Sequence, residues 1–119
     1  MKKIIPLESE IQKQIIDYLK LKHYFVMRLN SGSYAVNGGK SFVRGCEPGT
    51  PDLLAFKVLG KRIGQPDHIH VGLNLFFIEV KRPKGRVTEL QEQKMIELEA
   101  YGAICLVIHS VDELQALNL

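Results

Sequence analysis

The first part of the chain carries apolar residues at the spacing of an amphipathic helix. Between Leu7 and Lys22 they recur every three or four positions, at Ile11, Ile15, Tyr18 and Leu19. Pro6 stands just ahead of this segment, where proline is tolerated. The pattern therefore predicts a first helix over residues 7–22.

The middle of the chain has the pattern of strands and turns. Tyr24–Leu29 and Leu53–Leu59 are each predicted to be a strand. The segment 30–45 is rich in Gly, Ser and Asn, and predicts a short hairpin that turns at Asn37-Gly38-Gly39. Leu73–Lys81 is apolar on both of its alternating faces, which predicts a central strand covered on both sides. Gly60–Gly72 is predicted to be a polar connection.

The last third of the chain combines two helical segments with one strand. Thr88–Tyr101 is predicted to be a helix, because Thr88 and Gln91 match a capping box and a glycine follows the segment. Its inward-facing residues are predicted to be Leu90, Met95, Leu98 and Ile96. Ala103–Ile108 is strongly apolar and predicts a strand, and Ser110 with Glu113 opens a short final helix. This order of elements predicts an α/β protein with a mixed central sheet flanked by helices.

Composition narrows the class of protein. The 119 residues fit one compact domain over residues 1–119, and the net charge of +3 is compatible with nucleic acid without requiring it. Cys46 and Cys105 lie far apart and lack metal-ligand spacing, which indicates reduced thiols. No apolar run approaches the roughly 20 residues that a bilayer crossing needs, and Met1–Leu7 is too short for a signal peptide. We expect a cytoplasmic protein with no membrane partner.

Candidate chemistry gathers where two predicted strands meet. Asp52 precedes the Leu53–Leu59 strand, while Glu79 and Lys81 share one face at the end of the next strand. If these consecutive strands form an antiparallel hairpin, Asp52 falls near Glu79. Two close carboxylates repel each other, and a divalent cation removes that conflict. The alternative is a surface ion pair with Asp52 as a turn residue; the three residues at one predicted edge favour a cation site.

Four segments resemble the VRR-NUC group of the PD-(D/E)XK nuclease superfamily, which includes small stand-alone proteins of phages and bacteria. They are Glu8-Ser9-Glu10-Ile11-Gln12, Gly49-Thr50-Pro51-Asp52-Leu53-Leu54, Glu79-Val80-Lys81-Arg82-Pro83 and Thr88-Glu89-Leu90-Gln91. They follow the order of the family over nearly the whole chain. The resemblance implies a restriction-endonuclease-like αβββαβ core, metal-dependent cleavage of DNA, and a phage or bacterial origin.

The resemblance also implies roles for particular residues. Asp52, Glu79 and the backbone carbonyl of Val80 would hold Mg²⁺ or Mn²⁺, ions that prefer hard oxygen ligands. Lys81 would orient the attacking water or help to deprotonate it.

Two further catalytic residues involve a choice. Glu8 precedes Ile11 by three residues and shares its predicted inward stripe, so we prefer it to Glu10 as the active-site acid of the first helix. Gln91 either contributes to the site, as in the family, or only caps its helix, and the sequence leaves both alternatives open.

Basic and polar residues near these segments are candidates for DNA binding. They are Arg28, Asn30, Arg44, Arg82, Lys84 and Arg86. Arg44 ends Phe42-Val43-Arg44, an imperfect match to the tripeptide for which the family is partly named. Contacts from such residues to phosphates would position DNA without reading its bases.

The expected function is a Mg²⁺- or Mn²⁺-dependent, structure-selective DNA endonuclease that resembles a Holliday-junction resolvase. The resemblance to small stand-alone members also implies a homodimer, and a two-fold assembly suits the symmetric cutting of a four-way junction. The alternatives are a nuclease for flaps or ordinary duplex, and a DNA-binding subunit without activity. The complete set of Asp52, Glu79 and Lys81 argues against the inactive subunit.

Overall fold

The computed structural model describes residues 5–30, 33–59 and 72–119, without the side chains of residues 33, 34, 43 and 44. The helices are α1 (Glu8–Leu21), α2 (Glu89–Ala100) and α3 (Val111–Ala116). The strands are β1 (Phe25–Arg28), β2 (Ser33–Val36), β3 (Ser41–Arg44), β4 (Leu53–Val58), β5 (Leu73–Val80) and β6 (Ile104–Ile108). The predicted elements are present in the predicted order. The connection predicted over Gly60–Gly72 lies, except for its last residue, outside the described residues.

The central sheet has the strand order β1-β4-β5-β6. The pairs β1–β4 and β4–β5 are antiparallel, whereas β5 and β6 are parallel. The parallel pair requires a crossover connection, and α2 supplies it. The strands β2 and β3 form a separate antiparallel hairpin that turns at Asn37–Gly39. The predicted α/β class, with a mixed sheet flanked by helices, is confirmed.

One face of the sheet forms the core beneath α1 and α3. The residues of α1 that point inward are Ile11, Ile15 and Leu19, and all three are buried. They belong to one cluster with alternate residues of the central strands, namely Leu53, Ala55, Phe76, Ile78 and Val80. Burial of each large aliphatic side chain contributes about 1.5–3 kcal/mol. This packing fixes the start of α1 near the end of β5.

The opposite face of the sheet is partly exposed, so the prediction that the Leu73–Lys81 strand is covered on both sides is wrong for its first half. Leu73 is 49% exposed and Leu75 is 40% exposed, so the first half of β5 is covered on one side only. The helix α2 packs against β6, where Cys105 Sγ lies 3.5 Å from the carbonyl oxygen of Met95. Alternation along a strand shows which residues share a face, but it does not show whether a helix covers that face.

The inward side of α2 differs from the predicted set. Met95 is buried and Leu98 is half-buried, but Leu90 and Ile96 are exposed. At roughly 100° of rotation per residue, Leu98 stays close to the direction of Met95, while Leu90 and Ile96 turn away by about 140° and about 100°. Only Met95 and Leu98 can therefore face the sheet.

No described helix is long and apolar enough to cross a membrane.

The loop before β4 is anchored to α2. Gly49 has φ +88°, and a Cβ atom on it would lie 2.9 Å from the Leu90 carbonyl oxygen. Lys94 of α2 forms an ion pair with Glu47 of the same loop. The loop and the helix are therefore in close contact, and this contact holds the residues that lead to Asp52.

We predict that Gly49→Ala destabilises the protein more than Gly102→Ala does. Both glycines have positive φ, but the Cβ atom of an alanine at position 102 meets nothing within 4 Å. Gly102→Ala should cost about 1–2 kcal/mol of conformational strain. Gly49→Ala should add about 1–3 kcal/mol of overpacking against Leu90. Urea unfolding measures the free energy of unfolding of both variants. Equal losses of this free energy would contradict the predicted steric cost of a Cβ atom beside Leu90.

Candidate active site

The register of β4 and β5 places Asp52 beside Glu79. Leu53 pairs with Ile78, so the next pair outward is Asp52 and Glu79, whose side chains point to the same face of the sheet. Asp52 Oδ2 accepts a hydrogen bond of 2.7 Å from the backbone N–H of Val80. The antiparallel pairing expected from the sequence therefore brings the two carboxylates together.

Glu79 is the buried charged residue of this site, with 2% exposure. Its Oε1 atom accepts a hydrogen bond of 3.1 Å from Gln91 Nε2 and lies 3.7 Å from Lys81 Nζ. Its Oε2 atom is buried and has no hydrogen-bond partner among the residues that the structure describes. A buried acceptor without a partner costs about 1–3 kcal/mol. One carboxylate oxygen of Glu79 is thus available for a further ligand.

Burial and like charge raise the pKa of Glu79 to about 8. Burial is the largest cause, and the charge of Asp52 is the next. Lys81 acts in the opposite direction and lowers the pKa, while Glu8 raises it further. The positive charge of Lys81 therefore does not fully offset the two neighbouring acids and the loss of solvent.

The two acids at the start of α1 have different surroundings. Glu8 is near enough to raise the pKa of Glu79. Glu10 caps the helix instead, because its Oε2 atom accepts a hydrogen bond of 3.2 Å from the N–H of Leu7. The structure thus places Glu8 within electrostatic range of Glu79. Glu8 is exposed, however, so the expectation that it shares the inward stripe is wrong; the buried stripe begins one turn later, at Ile11.

Gln91 combines the two alternatives that the sequence left open. Its Oε1 atom accepts a hydrogen bond of 2.9 Å from Thr88 N–H, and Thr88 Oγ1 accepts one of 3.2 Å from Gln91 N–H. These two bonds form the predicted capping box of α2. The remaining Nε2 atom donates to Glu79. One amide side chain therefore fixes the start of α2 and also holds the buried carboxylate.

A family model of the VRR-NUC domain matches residues 8–112. The chain belongs to the VRR-NUC family. Comparisons with curated proteins and with solved structures gave no match. Membership implies a nuclease of the PD-(D/E)XK superfamily, with DNA as the implied substrate.

Three of the candidate DNA-binding residues belong to one turn close to the candidate acids Asp52 and Glu79. Arg82, Lys84 and Arg86 are all exposed and follow Lys81 directly. Arg82 Nε donates a hydrogen bond of 3.2 Å to the carbonyl of Pro6, which joins the turn to the start of α1. We call residues 82–86 the basic turn. It presents three cations within a few residues of Glu79.

The other candidate DNA-binding residues lie on different elements. Arg28 is exposed at the end of β1 and lines an open groove on the α1 side with Lys13, Asp17 and Lys20. Asn30 is exposed, and its backbone carbonyl accepts a hydrogen bond from the N–H of Cys46. Arg44 ends β3, and its side chain lies outside the described ones.

Sequence reasoning missed the contacts that hold the segments around the candidate site. His109 contacts the carbonyl of Gly85 in the basic turn, 24 residues away, and Lys94 contacts Glu47 across 47 residues. Neither contact has a local pattern, because each joins two segments that only the sheet brings together.

The residues of the site fit a hard divalent cation. No three His, Cys, Asp or Glu side chains within the described ranges are grouped closely enough to hold a metal ion. Mg²⁺, however, keeps several of its waters and is commonly bound through one or two carboxylates. Asp52 and Glu79 supply two, and Glu79 Oε2 is the buried oxygen for which the described residues offer no hydrogen-bond partner. PD-(D/E)XK nucleases generally use divalent metals.

We predict that Glu79→Gln stabilises the cation-free protein at high pH. The carboxyl is protonated in both the folded and unfolded states below pH 4.5, so it imposes no penalty there. The cost of charging it grows as the pH rises and is complete above about pH 8, the folded pKa. With EDTA present, the variant should melt above the wild type by roughly 3 °C or more at alkaline pH, about the effect of 1 kcal/mol.

This gain should vanish below pH 4.5, the ordinary pKa of the residue. Glu47→Gln is the control of opposite sign, because the hydrogen bond from Lys94 lowers the pKa of Glu47. That substitution should lower the melting temperature at neutral pH. A Glu79→Gln melting temperature that stays at or below the wild-type value throughout would contradict the prediction.

Proposed function

We propose that the protein is a Mg²⁺- or Mn²⁺-dependent endonuclease that hydrolyses phosphodiester bonds in branched DNA, with the four-way Holliday junction as the preferred substrate. The observation that supports catalysis best is the buried Glu79 carboxylate, which lies beside Asp52 and Lys81 and has one oxygen without a hydrogen-bond partner in the described part of the chain. The junction substrate rests on the resemblance to small stand-alone members of the family.

The side chains of the site divide the chemistry between them. Asp52 and Glu79, with the backbone carbonyl of Val80, would hold the cation. When bound, such an ion stabilises charge on the phosphate and lowers the pKa of water. Lys81 has its ammonium 3.7 Å from Glu79, where it can orient the attacking water and assist the loss of its proton.

Two further residues assist this set. Gln91 holds the carboxylate of Glu79 in place through its Nε2 atom. Glu8 adds a third negative charge near Glu79, which favours a cation at this point.

DNA binding is proposed for the exposed basic residues around this site. Arg82, Lys84 and Arg86 of the basic turn would contact phosphates next to the scissile bond. The remaining candidates, Arg28, Asn30 and Arg44, would contact the backbone farther away. Such contacts provide affinity that depends strongly on salt and little on base sequence. This behaviour suits an enzyme that recognises the structure of its substrate.

We also propose that residues 1–119 form one cytoplasmic domain that acts as a homodimer. The strands β1, β4 and β5 present apolar residues on the face opposite α1, and several are exposed: Phe25, Met27, Val58, Leu73 and Leu75. A contiguous apolar surface of this kind is typical of a protein–protein interface. Contact of this face with the same face of a second copy would be two-fold symmetric, as the cutting of two junction strands requires.

We predict that the wild type cuts labelled DNA only in the presence of Mg²⁺ or Mn²⁺. Four-way junction, flap and linear duplex are compared under the same conditions, and the junction should be cut fastest. Glu79→Ala and Lys81→Met should lower the cleavage rate by about 10²–10³ or more, because they remove the proposed cation ligand and the ammonium.

Lys57→Met is the matched control for Lys81→Met. Lys57 lies on β4, with its ammonium 4.5 Å from the ring centroid of Tyr24. The Lys57→Met variant should cleave DNA at the wild-type rate. Binding of all three substrates without any cleavage would reject the enzyme in favour of a DNA-binding subunit. If flap or duplex is cut faster than the four-way junction, that DNA rather than the junction is the preferred substrate.

We predict that Leu75→Glu converts a dimer to a monomer, because it places a charge in the centre of the exposed apolar face. Ile96→Glu is the control, since Ile96 is exposed on α2 rather than on the sheet. Sedimentation velocity measures the mass of both variants and of the wild type. A monomeric wild type, or a dimer that survives Leu75→Glu, would contradict the proposed interface.

A further inference from the structure

His109 occupies the position between β6 and α3, next to the end of β5. The parallel pairing aligns Val80 with Ile108, and the backbone N–H of Lys81 donates a hydrogen bond of 3.0 Å to the carbonyl of Ile108. His109 is therefore the first residue beyond the sheet on the strand that neighbours Glu79. None of the roles proposed above involves it.

The imidazole ring of His109 lies between two oxygen acceptors. Its Nδ1 atom is 2.9 Å from Glu113 Oε1, and its Nε2 atom is 3.1 Å from the carbonyl oxygen of Gly85. Glu113 also accepts a hydrogen bond of 3.1 Å from the backbone N–H of His109. A carboxylate and a carbonyl can only accept, so each ring nitrogen that carries a proton can donate to one of them. With a proton on Nε2 the ring donates to Gly85, and it donates to Glu113 as well when Nδ1 also carries a proton.

Gly85 belongs to the basic turn, whose backbone is tightly bent. Its N–H donates a hydrogen bond of 2.7 Å to the carbonyl of Arg82, and a Cβ atom on Gly85 would lie 2.8 Å from that same oxygen. Lys84 adopts φ +66°, a left-handed conformation that non-glycine residues rarely take. Such a conformation persists only where surrounding contacts impose it.

The contacts that impose it come from two sides. Arg82 is joined to Pro6 ahead of α1, and Gly85 is joined to His109 after β6. The contact with Pro6 holds the beginning of the turn, and the contact with His109 holds its end. Removal of the second contact leaves Lys84 and Arg86 between two more distant fixed points, Arg82 at the contact with Pro6 and Thr88 at the start of α2.

We propose that His109 is a positioning residue that fixes the basic turn, so that the cationic side chains of this turn are held where they can contact the phosphates of DNA. The inference rests on the proposed function, because it assumes that this turn contacts the substrate beside the catalytic acids. His109 itself acts through Gly85. Its loss should therefore weaken DNA binding while the chemistry at Glu79 continues.

Two isosteric variants separate the two contacts of the ring. The side-chain amide nitrogen of His109→Gln reaches roughly the place of Nε2 and can donate to Gly85. That of His109→Asn reaches roughly the place of Nδ1 and can donate only to Glu113. His109→Ala removes both contacts. We predict that His109→Asn and His109→Ala raise the KM for DNA about fivefold, the effect of one lost hydrogen bond, whereas His109→Gln stays near the wild type.

The kcat of all three variants should remain at the wild-type level. His109→Asn and His109→Ala should also show a shallower dependence of KM on salt, because fewer cations of the turn reach phosphates. A residue that served stability alone would not change this slope. The melting temperature of each variant is measured beside the kinetics, to establish that every variant is folded.

Limited trypsin digestion tests the turn without DNA. Cleavage after Lys84 and Arg86, identified by mass spectrometry, should be faster in His109→Asn and His109→Ala than in the wild type and His109→Gln. The bond after Arg82 resists trypsin because Pro83 follows it. If His109→Gln and His109→Asn behave alike in an active enzyme, the inference fails and the proposed function stands. If the wild type neither binds nor cuts DNA, the proposed function fails and the inference fails with it.

Discussion

The account depends on one constraint, the burial of the Glu79 carboxylate at the end of β5. Water is excluded from the group, Asp52 lies beside it, and one of its oxygens has no partner among the described residues. A protein that keeps such a group must neutralise it, either with a proton or with a cation. Lys81 supplies part of the opposite charge at 3.7 Å. The pKa of Glu79 is nevertheless raised, so the charge of Lys81 does not offset the burial of the carboxylate and the charge of Asp52.

Elements from four parts of the chain converge on this carboxylate. The antiparallel register of β4 and β5 supplies Asp52, and the capping box of α2 supplies Gln91. The core packing of α1 places Glu8 near the same point, and Gly49 lets the loop before β4 approach α2. The site is therefore a product of ordinary packing and pairing rules. Its unusual feature is the charge that those rules bury.

Much of this arrangement could be predicted from local patterns. Alternation along β5 places Glu79 and Lys81 on one face, and the pairing of consecutive strands brings Asp52 to them. The capping signature also located Gln91, although it could not show that the second half of the amide reaches Glu79. The family match over residues 8–112 confirms the resemblance read from four short segments.

Most of the features that could not be predicted depend on distant neighbours. Alternation did not reveal that the face bearing Leu73 and Leu75 is exposed, because no local signal specifies which helix covers a sheet. The exposure of Glu8 follows from its position at the helix end rather than from its angular direction. The contact between His109 and Gly85 joins segments 24 residues apart, and a single histidine after a strand gives no sign of it.

The most direct test of the central claim is a calorimetric titration of Mn²⁺ into the protein at pH 7, in buffers of different ionisation enthalpy. The pKa of Glu79, about 8, lies above this pH, so a cation that binds its carboxylate must displace a proton. The account predicts saturable binding with proton release in the wild type and the loss of both in Glu79→Gln. Binding that is absent from the wild type, or that persists unchanged in Glu79→Gln, would contradict it.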